Sequence, residues 1–98
     1  MSYSTDKRPG KYQIKLERSS AERGWHSLEE ESPSAMDKCR QFLEEMPANF
    51  LMSRGKAKRL KGKLKWLSQY DVTDSARVRY WVDKTDKIVY VEYAGPHP

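Results

Sequence analysis

Between Arg77 and Asp83 the side chains alternate with a period of two: Val78, Tyr80 and Val82 are apolar, and Arg77, Arg79 and Trp81 stand between them. Successive strand side chains point to opposite faces, so this segment reads as a strand with one buried face and one basic, aromatic face. A chain that carries such a strand must cover the first face with something apolar and leave the second to water or a partner. The alternation recurs at Tyr12, Ile14 and Leu16, with Gln13 and Lys15 between them. Tyr70 to Thr73 reads as another strand that turns at Asp74-Ser75, and the Val- and Tyr-rich Ile88 to Ala94 as a central one. The connection from Asp83 to Lys87 is a hairpin turn without the glycine that such turns favour.

Two helical stripes supply the cover. Ala21, Trp25 and Leu28 fall at i, i+4 and i+7 after Ser19 and Ser20, which suit a helix start, although Gly24 weakens the pattern. Ser32 then precedes Pro33, a residue favoured at the first helical position, and Ser34 has Asp37 three residues on. Met36, Cys39, Leu43 and Met46 make the second stripe, with Phe42 beside it, and Pro47 ends it. So short a link predicts a helical hairpin. The expected fold is α+β, in the order β-α-α-β-β-β, with the hairpin packed on a small antiparallel sheet. Asn49 to Gly62 is expected to be irregular, with a short helical turn.

With 98 residues the chain has room for one core, expected over 11–98, after a polar and flexible lead-in over 1–10. Only 37% of the residues are hydrophobic, but three Trp, six Tyr and two Phe supply large burial per residue. The absence of a long apolar run predicts no membrane span and no signal peptide, hence a cytoplasmic protein. Cys39 has no cysteine companion, so neither a disulfide, a metal site nor a cofactor is expected. Net charge is +5, unevenly placed: Arg54 to Lys65 holds seven basic residues and no acid, whereas six acids between Glu29 and Glu45 face only Lys38 and Arg40. That run suits a phosphate backbone or an acidic protein partner, or is simply a solvated loop.

The segment Arg59 to Pro98 resembles the C-terminal half of RelE/ParE-type toxins. Leu60-Lys61-Gly62, Tyr70, Arg77-Val78-Arg79-Tyr80, Ile88-Val89-Tyr90-Val91 and Gly95-Pro96-His97 stand in the places of that family's turn, strands and ending. With Ala21, Trp25 and Leu28 upstream, the likeness runs from Tyr12 to Pro98. It implies a RelE-like fold and a toxin neutralised by a cognate antitoxin. RelE-branch members cleave mRNA on the ribosome, and ParE-branch members inhibit DNA gyrase. A third reading is a basic RNA-binding module without catalysis.

Metal-free RNA cleavage needs the 2′-hydroxyl deprotonated, the phosphate charge stabilised and the leaving oxygen protonated. Arg77 occupies the family's Arg position, and its guanidinium fork suits the second task. It is expected on the face opposite Val78 and Tyr80, removable without opening the core. His97 is the candidate acid or base. After Tyr70, the places where the RelE branch often carries basic residues hold Asp71, Val72 and Thr73, and the chain ends at Pro98, before a Tyr that is catalytic in some relatives. Lys63 and Lys65 are therefore the candidates to substitute. Lys56, Lys58, Arg59 and Lys61 are expected to hold phosphates, with Arg79 pairing to phosphate and Trp81 stacking on a base. His26 reads as an exposed helical residue.

Overall fold

The computed structural model describes residues 3–4 and 11–97. Apart from the two-residue strand β1 (Tyr3–Ser4), the lead-in expected over 1–10 lies outside the described residues, as does Pro98. There follow β2 (Gln13–Leu16), α1 (Ser19–Glu31), α2 (Pro33–Glu45), a 3₁₀ turn (Phe50–Ser53), β3 (Ala57–Arg59), a second 3₁₀ turn (Gly62–Leu64), β4 (Ser68–Thr73), β5 (Ala76–Asp83) and β6 (Ile88–Pro96). The sheet order is β1-β2-β6-β5-β4-β3. Among the described residues no helix is long and apolar enough to cross a membrane.

The helical hairpin covers one face of the sheet, and β4, β5 and β6 form the expected antiparallel meander. Two features differ from the sequence reading. The sheet is mixed, because β2 runs parallel to β6, with Ile14 opposite Val89. Alternation fixes which face a strand buries but not the direction of its neighbour. The basic stretch also contains a strand, β3, antiparallel to β4. It turns only Ala57 inward, too little to leave a periodic signal. Ser53 Oγ accepts from Ala57 N–H at 2.9 Å and donates to the Phe50 carbonyl at 2.5 Å, which binds this edge to the preceding turn.

Core and turns explain themselves from the residues. Trp25 and Tyr80 are fully buried, and the Tyr80 hydroxyl donates to the Pro47 carbonyl at 2.8 Å, tying the end of α2 to β5. In the β5–β6 turn the Asp83 carboxylate accepts from the N–H groups of Thr85 and Asp86, at 3.1 and 3.0 Å, and Lys87 takes φ 58°. These contacts do what a glycine otherwise would. Gly24 is explained by close approach rather than by weak helicity: a Cβ there would lie 1.8 Å from the Ala94 carbonyl oxygen of β6. Helix α1 is seated directly on the sheet backbone.

Two outcomes follow. Gly24→Ala gains about 1 kcal/mol of helix propensity but forces overpacking against backbone that cannot yield, about 3 kcal/mol at the top of the usual range. The net loss of about 2 kcal/mol lowers the melting temperature by roughly 10 °C, measurable by circular dichroism. Burial raises the pKa of the Cys39 thiol, of Tyr70 and of Tyr80, with Cys39 adding a smaller push on both phenols. The native state therefore favours the neutral forms, and their contribution to stability is whole below the unfolded Cys value of about 8.5 and falls as pH rises above it. Urea unfolding at pH 8 and pH 10 should show the decline, and Cys39→Ala should remove the part that begins first.

Candidate nucleic-acid interface

The face of the sheet opposite the helices is built by strand parity. Lys58, Gln69, Arg79 and Tyr93 stand in one rung across four strands. One step along, Asp71 pairs with Arg77 and Arg77 with Gly95. In the other direction Trp81 pairs with Tyr90, and Tyr90 with Lys15 of β2. A register shift between Arg79 and Tyr80 lets both Glu92 and Tyr93 sit outside the core, while Val91 and Ala94 stay within it. Tyr93 closes over Gly95, whose Cβ position lies 3.0 Å from the phenol oxygen, and its hydroxyl donates to the Pro96 carbonyl at 2.5 Å.

The polar groups of this face are linked. Arg79 Nε donates to Gln69 Oε1 at 3.0 Å, and Gln69 Nε2 donates to Asp71 Oδ1 at 3.1 Å. Asp71 Oδ1 also lies 3.0 Å from Arg77 Nε, an ion pair in which the N–H is not aimed along the contact. Arg77 Nη1 donates to the carbonyls of Thr73 and Ala76 at 2.6 and 3.1 Å. A second chain runs from Arg18 Nε to Glu92 Oε1, 2.9 Å, and from Trp81 Nε1 to Glu92 Oε2, 3.2 Å. Trp81 stacks on Tyr90 with ring centroids 4.3 Å apart and planes 18° from parallel. Each ring covers one face of the other, and an outer ring face left beside basic side chains is the kind of surface on which unpaired bases stack.

Arg77 lies on the expected face, but its side chain is only 13% exposed and is braced by a carboxylate and two carbonyls. Removing it therefore costs more than at an exposed position, about 1 to 2 kcal/mol. His97 is exposed, and its N–H donates to the Ser75 carbonyl at 2.8 Å. This contact holds the chain just beyond the ends of β5 and β6, past the Ala76–Pro96 pair. Lys56 lies opposite Asp71, whose N–H donates to the Lys56 carbonyl at 2.7 Å.

Lys61, Lys63 and Lys65 are not brought to that end. They sit at the tip of the β3–β4 hairpin, where Arg59 Nη1 donates to the Lys65 carbonyl at 3.0 Å and Leu60 N–H to the Leu67 carbonyl at 3.0 Å. The three steps from Ser68 to Asp71 alone span about 10 Å. Lys63 and Lys65 thus stand apart from Arg77 and His97. His26 is exposed on α1, with Nδ1 3.1 Å from Glu29 Oε1. The sequence reading omitted Gln69, Tyr90 and Lys15, although the alternation of Tyr90 with Val89 and Val91 carried the signal for one of them.

No family model and no curated protein matches the chain. Among solved structures it is similar to the YoeB/ParE toxin from Agrobacterium tumefaciens (TM-score 0.62, 15% identity, 87% of this chain and 98% of that one). It is also similar to the YoeB–YefM complex from Staphylococcus aureus (TM-score 0.60, 15% identity, 89% and 98%). A third is the toxin–antitoxin complex RelBE2 from Mycobacterium tuberculosis (TM-score 0.55, 16% identity, 89% and 99%). These likenesses establish the fold.

The Asp71–Arg77 pair yields a further outcome. Asp71→Asn keeps the shape and removes the charge that offsets Arg77, so affinity for a short single-stranded RNA should rise about fivefold, for roughly 1 kcal/mol of lost screening. The salt slope should steepen by about one unit. Fluorescence anisotropy at several salt concentrations reads both.

Proposed function

Starting from a chain with the RelE/ParE toxin fold, we propose that it is the toxin of a toxin–antitoxin pair, and that it cleaves mRNA on the ribosome across its open sheet face. Its partners are then a cognate antitoxin, mRNA and the ribosome. The observation that supports the reading is the open sheet face itself, which carries Arg77 and Arg79 beside the stacked pair Trp81 and Tyr90, with His97 two residues along the chain from Gly95, the register partner of Arg77. Two of the similar solved structures, YoeB–YefM and RelBE2, are complexes of a toxin with its antitoxin, and a chain of the same fold is expected to have one.

In the proposed reaction the RNA lies along the sheet with one base on the Trp81–Tyr90 stack. Arg79 and Lys58 hold flanking phosphates, Lys56 extends the grip at the Asp71 end and Lys61 at the hairpin tip, whereas Arg59, in the rung of Ser68 and Tyr80, belongs to the other face. The scissile phosphate lies over Arg77, whose charge opposes the charge that builds as the 2′-oxygen, its proton passing to solvent water, attacks phosphorus and the P–O5′ bond breaks to leave a 2′,3′-cyclic phosphate. His97 donates a proton to the departing 5′-oxygen. Lys63 and Lys65, at the far end, bind phosphates and take no part in proton transfer. The Asp71 carboxylate beside Arg77 favours a second reading, a non-enzymatic ParE-type gyrase inhibitor, because it offsets the charge that cleavage requires.

Mapping mRNA ends and plasmid supercoiling after induced expression separates the two. Codon-phased cuts with supercoiling intact are the expected result, whereas intact mRNA with lost supercoiling selects gyrase. Arg77→Ala should lower cleavage on programmed ribosomes by about two orders of magnitude and the melting temperature by roughly 5 to 10 °C. A variant that cuts at the wild-type rate would remove Arg77 from the site.

A further inference from the structure

We infer that the notch beside Trp81, where the β3–β4 hairpin tip turns away from the sheet, is a binding site for one unpaired purine base of the RNA. The inference rests on the reading above that RNA lies on the open sheet face, and it adds a site that selects one of the bases.

Strand register creates the notch. β4 pairs with β5 from Thr73 opposite Ala76 to Ser68 opposite Tyr80, and on the far side of Ser68 the chain belongs to the hairpin tip with its 3₁₀ turn at Gly62–Leu64. Trp81 and Val82, the next residues of β5, have register partners in β6, Tyr90 and Val89, and none in β4. Tyr90 covers the β6 side of the Trp81 ring, with centroids 4.3 Å apart, and Trp81 Nε1 donates to Glu92 Oε2 at 3.2 Å. The ring is thereby held with its other face toward the side where β4 has ended.

The space on that side is a cleft of about 260 Å³, which Trp81 lines together with Phe50, Trp66, Ser68, Arg59 and Lys84. This is below the roughly 300 Å³ at which sites for drug-sized ligands begin, so it takes one base rather than a longer stretch of chain. Trp66 is 50% exposed and stands at the mouth, whereas Ser68, 6% exposed, supplies a hydroxyl deeper in. Arg59 and Lys84 are exposed cations, and among the described residues no carboxylate lines the cleft. Arg59 Nη1 donates to the Lys65 carbonyl at 3.0 Å, which holds the guanidinium against the hairpin tip and leaves its remaining donors to a ligand.

Aromatic rings from three elements, with two cations beside them and no acid, suit a base and its phosphate. A two-ring base covers more of Trp66 and Trp81 than a one-ring base does, which sets the preference as purine over pyrimidine. Continuity points to a base within RNA rather than a free nucleotide, because a base on the outer face of Trp81 lies at the cleft while the strand runs on over Arg79 and Arg77. A protein segment seated in the cleft would cover the same face of Trp81 and block the stacking on which the RNA reading depends.

The test measures binding of the full chain and its Trp66→Ala and Trp66→Phe variants to oligoadenylate and oligouridylate RNAs of about six nucleotides, with AMP and the purified products of the adjacent reading frames in parallel. The expected result is that the wild type binds oligoadenylate about tenfold more tightly than oligouridylate. Trp66→Ala should lose about tenfold on oligoadenylate and less than about twofold on oligouridylate. Trp66→Phe, which keeps a ring, should restore most of the preference, and the melting temperature should be unchanged in both. If the wild type binds the two RNAs equally, or if Trp66→Ala binds both like wild type or weakens both alike, the purine site is overturned while the RNA reading stands. If the wild type binds neither RNA, that reading fails and the inference with it. AMP bound as tightly as oligoadenylate would overturn the inference in favour of a free-nucleotide site, and a Trp66→Ala defect confined to an adjacent product in favour of a protein surface.

Discussion

The contact on which the arrangement depends is the seating of α1 against the backbone of β6 at Gly24 and Ala94. No side chain separates the two elements there, so Trp25 and Leu28 on the same helix enter the core beside Val89 and Val91. With α1 fixed, α2 is placed by the short link at Ser32 and by the Tyr80 hydroxyl on the Pro47 carbonyl. Both helices are thereby committed to one side of the sheet. The other side is left to carry polar groups, and function follows from that asymmetry.

What occupies the open side is neither an isolated catalytic cluster nor a plain solvated surface. Arg79, Gln69, Asp71 and Arg77 are joined across β4 and β5, and Arg18, Glu92 and Trp81 across β5 and β6. Such links hold long side chains in place, so a ligand need not order them itself. They also moderate the charge, because each carboxylate offsets an arginine. The seven basic residues from Arg54 to Lys65, with no acid among them, run instead along β3 and the hairpin tip.

Much of this was legible from the residues. The alternation at Val78, Tyr80 and Val82 named the buried face of β5, and the same parity put Arg77, Arg79 and Trp81 outside. The stripes at Ala21, Trp25 and Leu28 and at Met36, Cys39 and Leu43 named both helices. What escaped depended on contacts distant in sequence. The parallel pairing of β2 with β6 and the close approach at Gly24 leave no periodic trace. The bracing of Arg77 by Asp71 could not be foreseen, since an acid after Tyr70 reads simply as a missing base until register sets it opposite the arginine. Separation of Lys63 and Lys65 from Arg77 likewise required knowing that residues 60–67 close a hairpin tip.

The three tryptophans are placed to test the central claim, that RNA is engaged on the open sheet face. Trp81 lies in the stack with Tyr90, Trp66 stands exposed at the hairpin tip, and Trp25 is fully buried. Each contributes one indole N–H resonance to a nitrogen-edited NMR spectrum. On titration with a short non-cleavable RNA, the account predicts that the Trp81 resonance moves first and farthest while that of Trp25 stays in place. A titration that shifts Trp66 or Trp25 and leaves Trp81 unmoved would contradict it.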